Sequence, residues 1–286
     1  MVIIVGMLIV LVAILGGFGL EHGPFMVLYQ PAEYLIIGGA AVGTLVVSTP
    51  SRVLKRLGSK IGEAFKGGGI GKDLYLNILK LMFDLFQVAR KDGVLVLESH
   101  IEAPEASAIF SKYKDVMSKH HLVHFLVDTL RLIILGGIAP HDLEALMEGD
   151  IDIHHEENAL PAAQLQMMAD ALPGLGIVAA VLGVCITMSA IGGPPEEIGH
   201  KVAAALVGTF LGILLCYGFV GPLAKNLEIM NEEEGKLFHA VKAGTVAFAK
   251  GCPPILAVEF ARRSIPGDHR PSYQEMEKYV KTPKAK

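Results

Sequence analysis

The sequence predicts an all-α, four-span helical membrane protein with a helical cytoplasmic domain inserted between spans 2 and 3. Three observations predict it. First, Met1–Leu20, Tyr34–Ser51, Ala171–Pro195 and Val202–Ala224 contain no Asp, Glu, Lys, Arg or His. Each is about long enough to cross a hydrocarbon core of roughly 30 Å at about 1.5 Å per helical residue, the second only just. Second, the stretches pair into hairpins through short links, Glu21 to Glu33 and Glu196 to Lys201. Third, the roughly 120 residues between the hairpins carry charge and helical apolar spacing, which is how a soluble helical domain reads. With 52% hydrophobic and 19% charged residues, the composition fits lipid-embedded helices joined to a soluble portion.

In order along the chain, 1–51 forms the first transmembrane hairpin. Met1–Leu20 lacks a basic leading region and a small-residue cleavage site, so it reads as a retained membrane helix. Arg52, Lys55, Arg56, Lys60, Lys66 and Lys72 follow the second span against Glu63 alone, which places that side, and with it both termini, in the cytoplasm. The cytoplasmic domain runs over 52–170. Leu76, Leu79, Phe83, Phe86 and Val88 predict a helix over 72–90, stopped at Gly93. Pro104 breaks the next segment; helices are expected over 105–119 and 122–135, the second with Phe125, Leu126, Leu130, Ile133 and Ile134 on one side. Pro140 opens an acidic helix that is continuous with or closely coupled to the third span. The second hairpin occupies 171–224. In the tail, 225–286, an amphipathic helix over 225–250 ends at Pro253-Pro254, and the last twenty residues are expected to be loosely ordered.

Several functions are excluded. A net charge of −4 argues against a nucleic-acid binder. Cys185, Cys216 and Cys252 are scattered and form neither a disulfide framework nor a CxxC site. The run Gly67-Gly68-Gly69-Ile70-Gly71-Lys72 breaks the phosphate-loop pattern twice, at Lys66 and at Asp73, and reads as a flexible link. His120, His121, His124 and the His154-His155-Glu156-Glu157 run lack the HExxH spacing of a zinc site and read as solvated helical faces.

The spans are more informative. A machine that moves ions normally keeps a titratable group at membrane depth, and here none is expected, so the ion chemistry is either shared with another chain or passive. Gly176, Ala180, Gly183 and Thr187 recur along the third span, and Ala205, Thr209, Gly212 and Cys216 along the fourth. Small faces of this kind allow close helix packing and would equally make a narrow, uncharged lining. Pro173 and Pro222, expected at matching depth near the cytoplasmic ends of these spans, each remove a backbone donor and crowd the carbonyl four residues back, as helix-end markers or as a hinge. Arg90, Lys91 and Glu98 are surface charges that could solvate a helix end or steer a complementary partner.

Leu28-Tyr29-Gln30-Pro31-Ala32-Glu33, the run from Pro173 to Val184, the run from Val207 to Leu215 with Pro222, and Pro253 to Phe260 together resemble the MotA family of flagellar stator subunits, related to TolQ and ExbB. The resemblance covers nearly the whole chain. It implies an ion-conducting stator subunit of the bacterial flagellar motor in the inner membrane, serving motility and chemotaxis, with no bond-making catalysis and no cofactor. It implies a homo-pentamer around a MotB dimer that supplies the ion-binding aspartate. Carried over by position, Pro173 and Pro222 match functional prolines, Ala180 and Thr209 match channel-lining positions, and Arg90 and Glu98 match the charges that contact the rotor protein FliG. Gly176 and Gly212 join the ion-path candidates through their small faces. Sodium-driven relatives tend to carry a hydroxyl at the position of Ala180, so the expected coupling ion is H+, with Na+ the alternative. The rivals are a scaffold without an ion path and a TolQ-like energiser of another envelope process.

Overall fold

Helix is the only regular structure among the described residues of the computed structural model, which are 2–67, 69–189 and 192–282. Met1, Gly68 of the glycine-rich run, residues 190 and 191 of the third apolar stretch and the last four residues of the tail lie outside them. The order is α1 (Val2–Leu20), α2 (Phe25–Leu28), α3 (Pro31–Ser48), α4 (Ser51–Lys66), α5 (Lys72–Asp92), α6 (Glu98–Ile101), α7 (Lys114–Met117) and α8 (His120–Leu135). Then follow α9 (Pro140–Met188), α10 (Pro195–Leu215), α11 (Gly221–Ala249), α12 (Pro254–Arg263) and α13 (Tyr273–Lys281). Four of these helices, α1, α3 with the short α2 before it, α9, and α10 with its continuation, are long and apolar enough to cross a membrane.

The chain divides into two units, one of residues up to 68 with 158–230, the other of 69–157 with 231–286. In the first, α1 is apolar all round and buries none of its residues within the chain. Such a helix is stable only where lipid or another chain covers it. α3 opens with Pro31 in its first turn, where a missing N–H costs nothing, and packs Ile37 and Ala41 against Ala169, Leu172, Ala179 and Cys216. α4 is strongly amphipathic and sets Leu57 and Ala64 against Ala162, Leu165, Ala224 and Leu227. It ends at Gly67, whose left-handed φ of 73° lets its N–H reach the Glu63 carbonyl, so the glycine-rich run begins as a helix C-cap.

The second unit is built around α5, which buries Tyr75, Ile78, Leu79, Met82, Leu85 and Phe86 against residues of α8, α11, α12 and α13. Phe86 stacks on Phe248 with ring centroids 4.3 Å apart. α5 stops at Gly93, φ 92°, as its sequence predicts.

Three expectations change. No helix runs over 105–119: two short 3-10 turns and α7 occupy it. The cause is Ser107, whose Oγ accepts the N–H groups of Ile109 and Phe110 and lies 2.9 Å from His100 Nδ1, an alternative to the helical ladder. The tail, expected to be loose, carries α13, with Met276 and Val280 fully buried. Ser272 caps it by accepting the Glu275 N–H, and Ser272-Tyr-Gln-Glu275 is a capping-box pattern that sequence reading missed. Lastly, α9 continues unbroken through both Pro161 and Pro173, so Pro173 is no helix end.

Candidate functional site

The third and fourth spans meet in the first unit along a seam of small residues. A Cβ built on Gly176 would lie 2.8 Å from the Gly208 carbonyl oxygen and 3.2 Å from the Gly212 Cα. One on Gly212 would lie 2.6 Å from the Leu172 carbonyl oxygen. One on Gly183 would lie 2.7 Å from the Ala205 Cβ. Only glycine permits these backbone approaches, so Gly176 and Gly212 bring the two helices into direct contact. Ala180 and Thr209 are half-buried beside the seam. Thr187, also on the small face, gives its hydroxyl to the Gly183 carbonyl at 2.8 Å.

This antiparallel register corrects the expected depth of the two prolines. Leu172 and Pro173 stand level with Gly212, ten residues before Pro222, a rise of roughly 15 Å. Pro173 therefore stands level with the middle of the fourth apolar stretch, and its missing N–H leaves the buried Ala169 carbonyl without its helical donor. Pro222 is exposed and follows a π-helical turn, Cys216–Val220, closed by the Gly221 N–H on the Cys216 carbonyl. Pro222 cannot donate to Gly218, and the wider turn just before it takes up the mismatch.

The structure also corrects the expectation of a chain without an acid at depth. Glu33, in the first turn of α3, is 7% exposed. A Cβ on Gly208 would stand 2.6 Å from its Oε2, and Gly208 lies six residues inside the charge-free stretch that begins at Val202. Sequence reading missed it because Glu33 borders its own apolar stretch and only tertiary packing carries its carboxylate beside another.

Arg90 and Glu98 lie in the second unit, both exposed: Arg90 in the last turn of α5, Glu98 at the start of α6. Between them Gly93 turns the chain and fully buried Leu97 anchors it, while Leu95 is 70% exposed. Earlier on the same helix Lys80 is nearly buried and donates to Asp84 Oδ1 at 2.9 Å and to the Val280 carbonyl at 2.6 Å. The Tyr113 hydroxyl donates to Asp84 Oδ2 at 2.7 Å. Burial and the Asp84 carboxylate push the Tyr113 phenol far above its ordinary range, so it remains a neutral donor. The histidine runs do approach each other, His121 and His154 with ring centroids 5.5 Å apart. No group of three or more His, Cys, Asp or Glu suited to a metal occurs among the described residues.

Residues 4–93 match the motility protein A N-terminal family and residues 116–239 match the MotA/TolQ/ExbB proton channel family. The chain is 41% identical over 275 residues to the chemotaxis protein LafT of Vibrio parahaemolyticus, covering 96% of each chain. The chain belongs to the motility protein A family. It is also 39% identical to motility protein A of Salmonella typhimurium, covering 98% of this chain and 95% of that one. Among solved structures, the fold is shared with MotAB of Campylobacter jejuni, with a TM-score of 0.76 at 20% identity over 93% of this chain and 96% of that one. The Bacillus subtilis flagellar MotAB stator complex gives 0.69 at 24%, over 90% and 92%. As a member of this family the chain is a multi-pass membrane protein and a stator ion-channel subunit, a class that performs no bond-making catalysis.

Proposed function

We propose that this stator subunit carries protons inward across the bacterial inner membrane and converts their passage into rotation of a ring that turns the flagellar rotor. The observation that carries the reading is the glycine seam of the third and fourth spans, close-packed and built by those two helices from uncharged residues alone, with half-buried Ala180 and Thr209 beside it. In this proposal 1–51 and 171–224 lie in the membrane, while 52–170, 225–286 and both termini are cytoplasmic. The basic cluster from Arg52 to Lys72 supports that orientation. Five copies surround a MotB dimer whose aspartate binds the ion. MotAB complexes among the structures sharing the fold support the partner.

Each charge crossing a potential of 100 mV releases about 2.3 kcal/mol. Protonating the partner's carboxylate changes its hydration and hydrogen bonding, and the surrounding small walls then prefer a second arrangement. Ala180 and Thr209 line the path. Gly176 and Gly212 hold the two helices together so that the lining moves as one piece. Pro173, with its open carbonyl at Ala169, is the flexible point beside the path, and Pro222 with its π turn relays the change along the helix that leads toward the cytoplasm. Arg90 and Glu98 present opposite charges to FliG.

The test is Pro173→Ala in a strain lacking its own stators, with MotB co-expressed and membrane levels of the protein measured. Loss of rotation at unchanged levels is expected; rotation that survives would show that Pro173 only packs and is not the flexible point of the path. Ala180→Thr, with swimming measured against external sodium and pH, addresses the ion. The unaltered protein is expected to ignore sodium.

A further inference from the structure

Glu33 is a buried acid with one carboxyl oxygen left unpaired. Its Oε2 is shielded from solvent and has no hydrogen-bond partner, although an acid in a helix's first turn ordinarily folds back on free N–H groups. The oxygen is instead aimed at α10, into the space left by the missing Cβ of Gly208. A Cβ there would also meet Ala179 Cβ at 3.1 Å and the Ala180 backbone N at 3.3 Å. The carboxyl group thus ends where the third and fourth spans come together, beside Ala180 and one residue from Thr209. Gly208 is six residues inside the apolar stretch, roughly 9 Å by helical rise.

A packing role does not explain this choice of residue. An ionised carboxylate with one oxygen shielded from water and unpaired in an apolar seam is disfavoured, and a proton on that oxygen relieves it. The charged and titratable groups on the packed elements do not pair with Oε2. The first two turns of α10 carry Glu196, Glu197, His200 and Lys201, with Lys201 bonded to Glu197 at 2.9 Å. On α9, Asp170 and Cys185 flank Ala179 in sequence, Asp170 accepting from Gln166 at 2.8 Å, and the Tyr34 hydroxyl beside Glu33 is given to the Leu28 carbonyl.

We propose that Glu33 is a proton-binding site on the outer part of the ion path, with Gly208 as the positioning residue that makes room for its carboxyl group. The carboxylate takes a proton from water on the outer side, becomes a neutral acid while it lies in the seam, and releases the proton to water along the Ala180 and Thr209 face. The inference rests on the stator reading and adds a binding site contributed by this chain to the one contributed by the partner.

The experiment uses the intact stator complex in membranes. Dicyclohexylcarbodiimide, which modifies protonated carboxyl groups in apolar surroundings, is applied across a range of external pH, and the Glu33 peptide is followed by mass spectrometry. Modification of Glu33 that declines several-fold as external pH rises is expected; no modification at any pH overturns the proposal. In parallel, single-motor speed is measured for Glu33→Gln and Glu33→Asp in a stator-free strain. Glu33→Gln is expected to lower speed at least two-fold and to flatten its dependence on external pH, with Glu33→Asp retaining both. Glu33→Gln motors that match the unaltered protein in speed and pH profile overturn the proposal even if the site is modified. Should Glu33→Gln fail to accumulate, the labelling of the unaltered protein decides. Failure of the unaltered chain to restore any rotation refutes the stator reading itself, an outcome distinct from all of these.

Discussion

Gly212 and Gly199 stand on the same helix in opposite circumstances. A Cβ on Gly212 would press on the Leu172 carbonyl and the Gly176 Cα, whereas one on Gly199 meets nothing within 4 Å. Gly212→Ala must therefore push two backbones apart, a cost of about 1–3 kcal/mol, while Gly199→Ala gains up to about 1 kcal/mol of helix propensity. Thermal unfolding of the purified stator is expected to show a lowered midpoint for the first and none for the second. Glu259 offers a test by pH. Arg262 binds both its oxygens, at 2.7 and 2.8 Å, and Arg263 adds a third contact at 2.9 Å. These guanidinium groups hold the Glu259 carboxyl below the ordinary carboxylate range. Since its folded value lies below its unfolded one, the contribution is present in full above about pH 5 and fades as pH falls through the lowered folded value. Glu259→Gln is expected to cost about 1–3 kcal/mol at pH 7 and to flatten the acid limb of the stability curve, both readable by denaturant titration between pH 3 and 8. Equal losses at both extremes would separate the effect from ionisation.

At the scale of elements, the C-terminal helix and the proline-bearing helices behave differently from their sequence signals. α13 is held by the buried Lys80 on the Val280 carbonyl, by Lys72 on Glu275 at 2.6 Å, and by the Tyr279 hydroxyl on Asn77 at 2.6 Å. Lys80→Met removes a charged donor from both Val280 and Asp84, and is expected to destabilise the second unit by about 2–4 kcal/mol, with faster hydrogen exchange over 273–281 as the specific sign. α13 could have been found from Ser272-Tyr-Gln-Glu275, but its anchor is a contact across some 200 positions that no local pattern displays. The spans, the stop at Gly93 and the exposed charges Arg90 and Glu98 were legible because each depends on nearby residues alone. The broken segment over 105–119 was not, because its apolar positions fit a helix and Ser107 decides against it through its own backbone bonds. Nor was the 15 Å offset of the prolines, since register between two antiparallel helices is set by which glycines meet.

For the whole molecule, the same distinction separates what one chain can do from what it must share. α1 buries nothing within the chain, and the apolar faces of the other spans, including Ile177, Val181 and Ile186, are likewise exposed, so much of the membrane part awaits other copies, a partner or lipid. At the proposed rotor-facing surface, Arg90→Glu is expected to abolish swimming without reducing membrane levels, and a compensating charge on the rotor protein is expected to restore it. This chain, together with the proposed MotB partner, is expected to turn a motor on proton flow. The most direct measurement is the rotation speed of a tethered bead in a stator-free strain expressing the two proteins, followed while external sodium is exchanged for potassium and a protonophore is then added. Rotation is expected to be restored, to be unchanged by sodium removal and to stop when the protonophore is added. Speed that falls with sodium, or a motor that never turns, would contradict it.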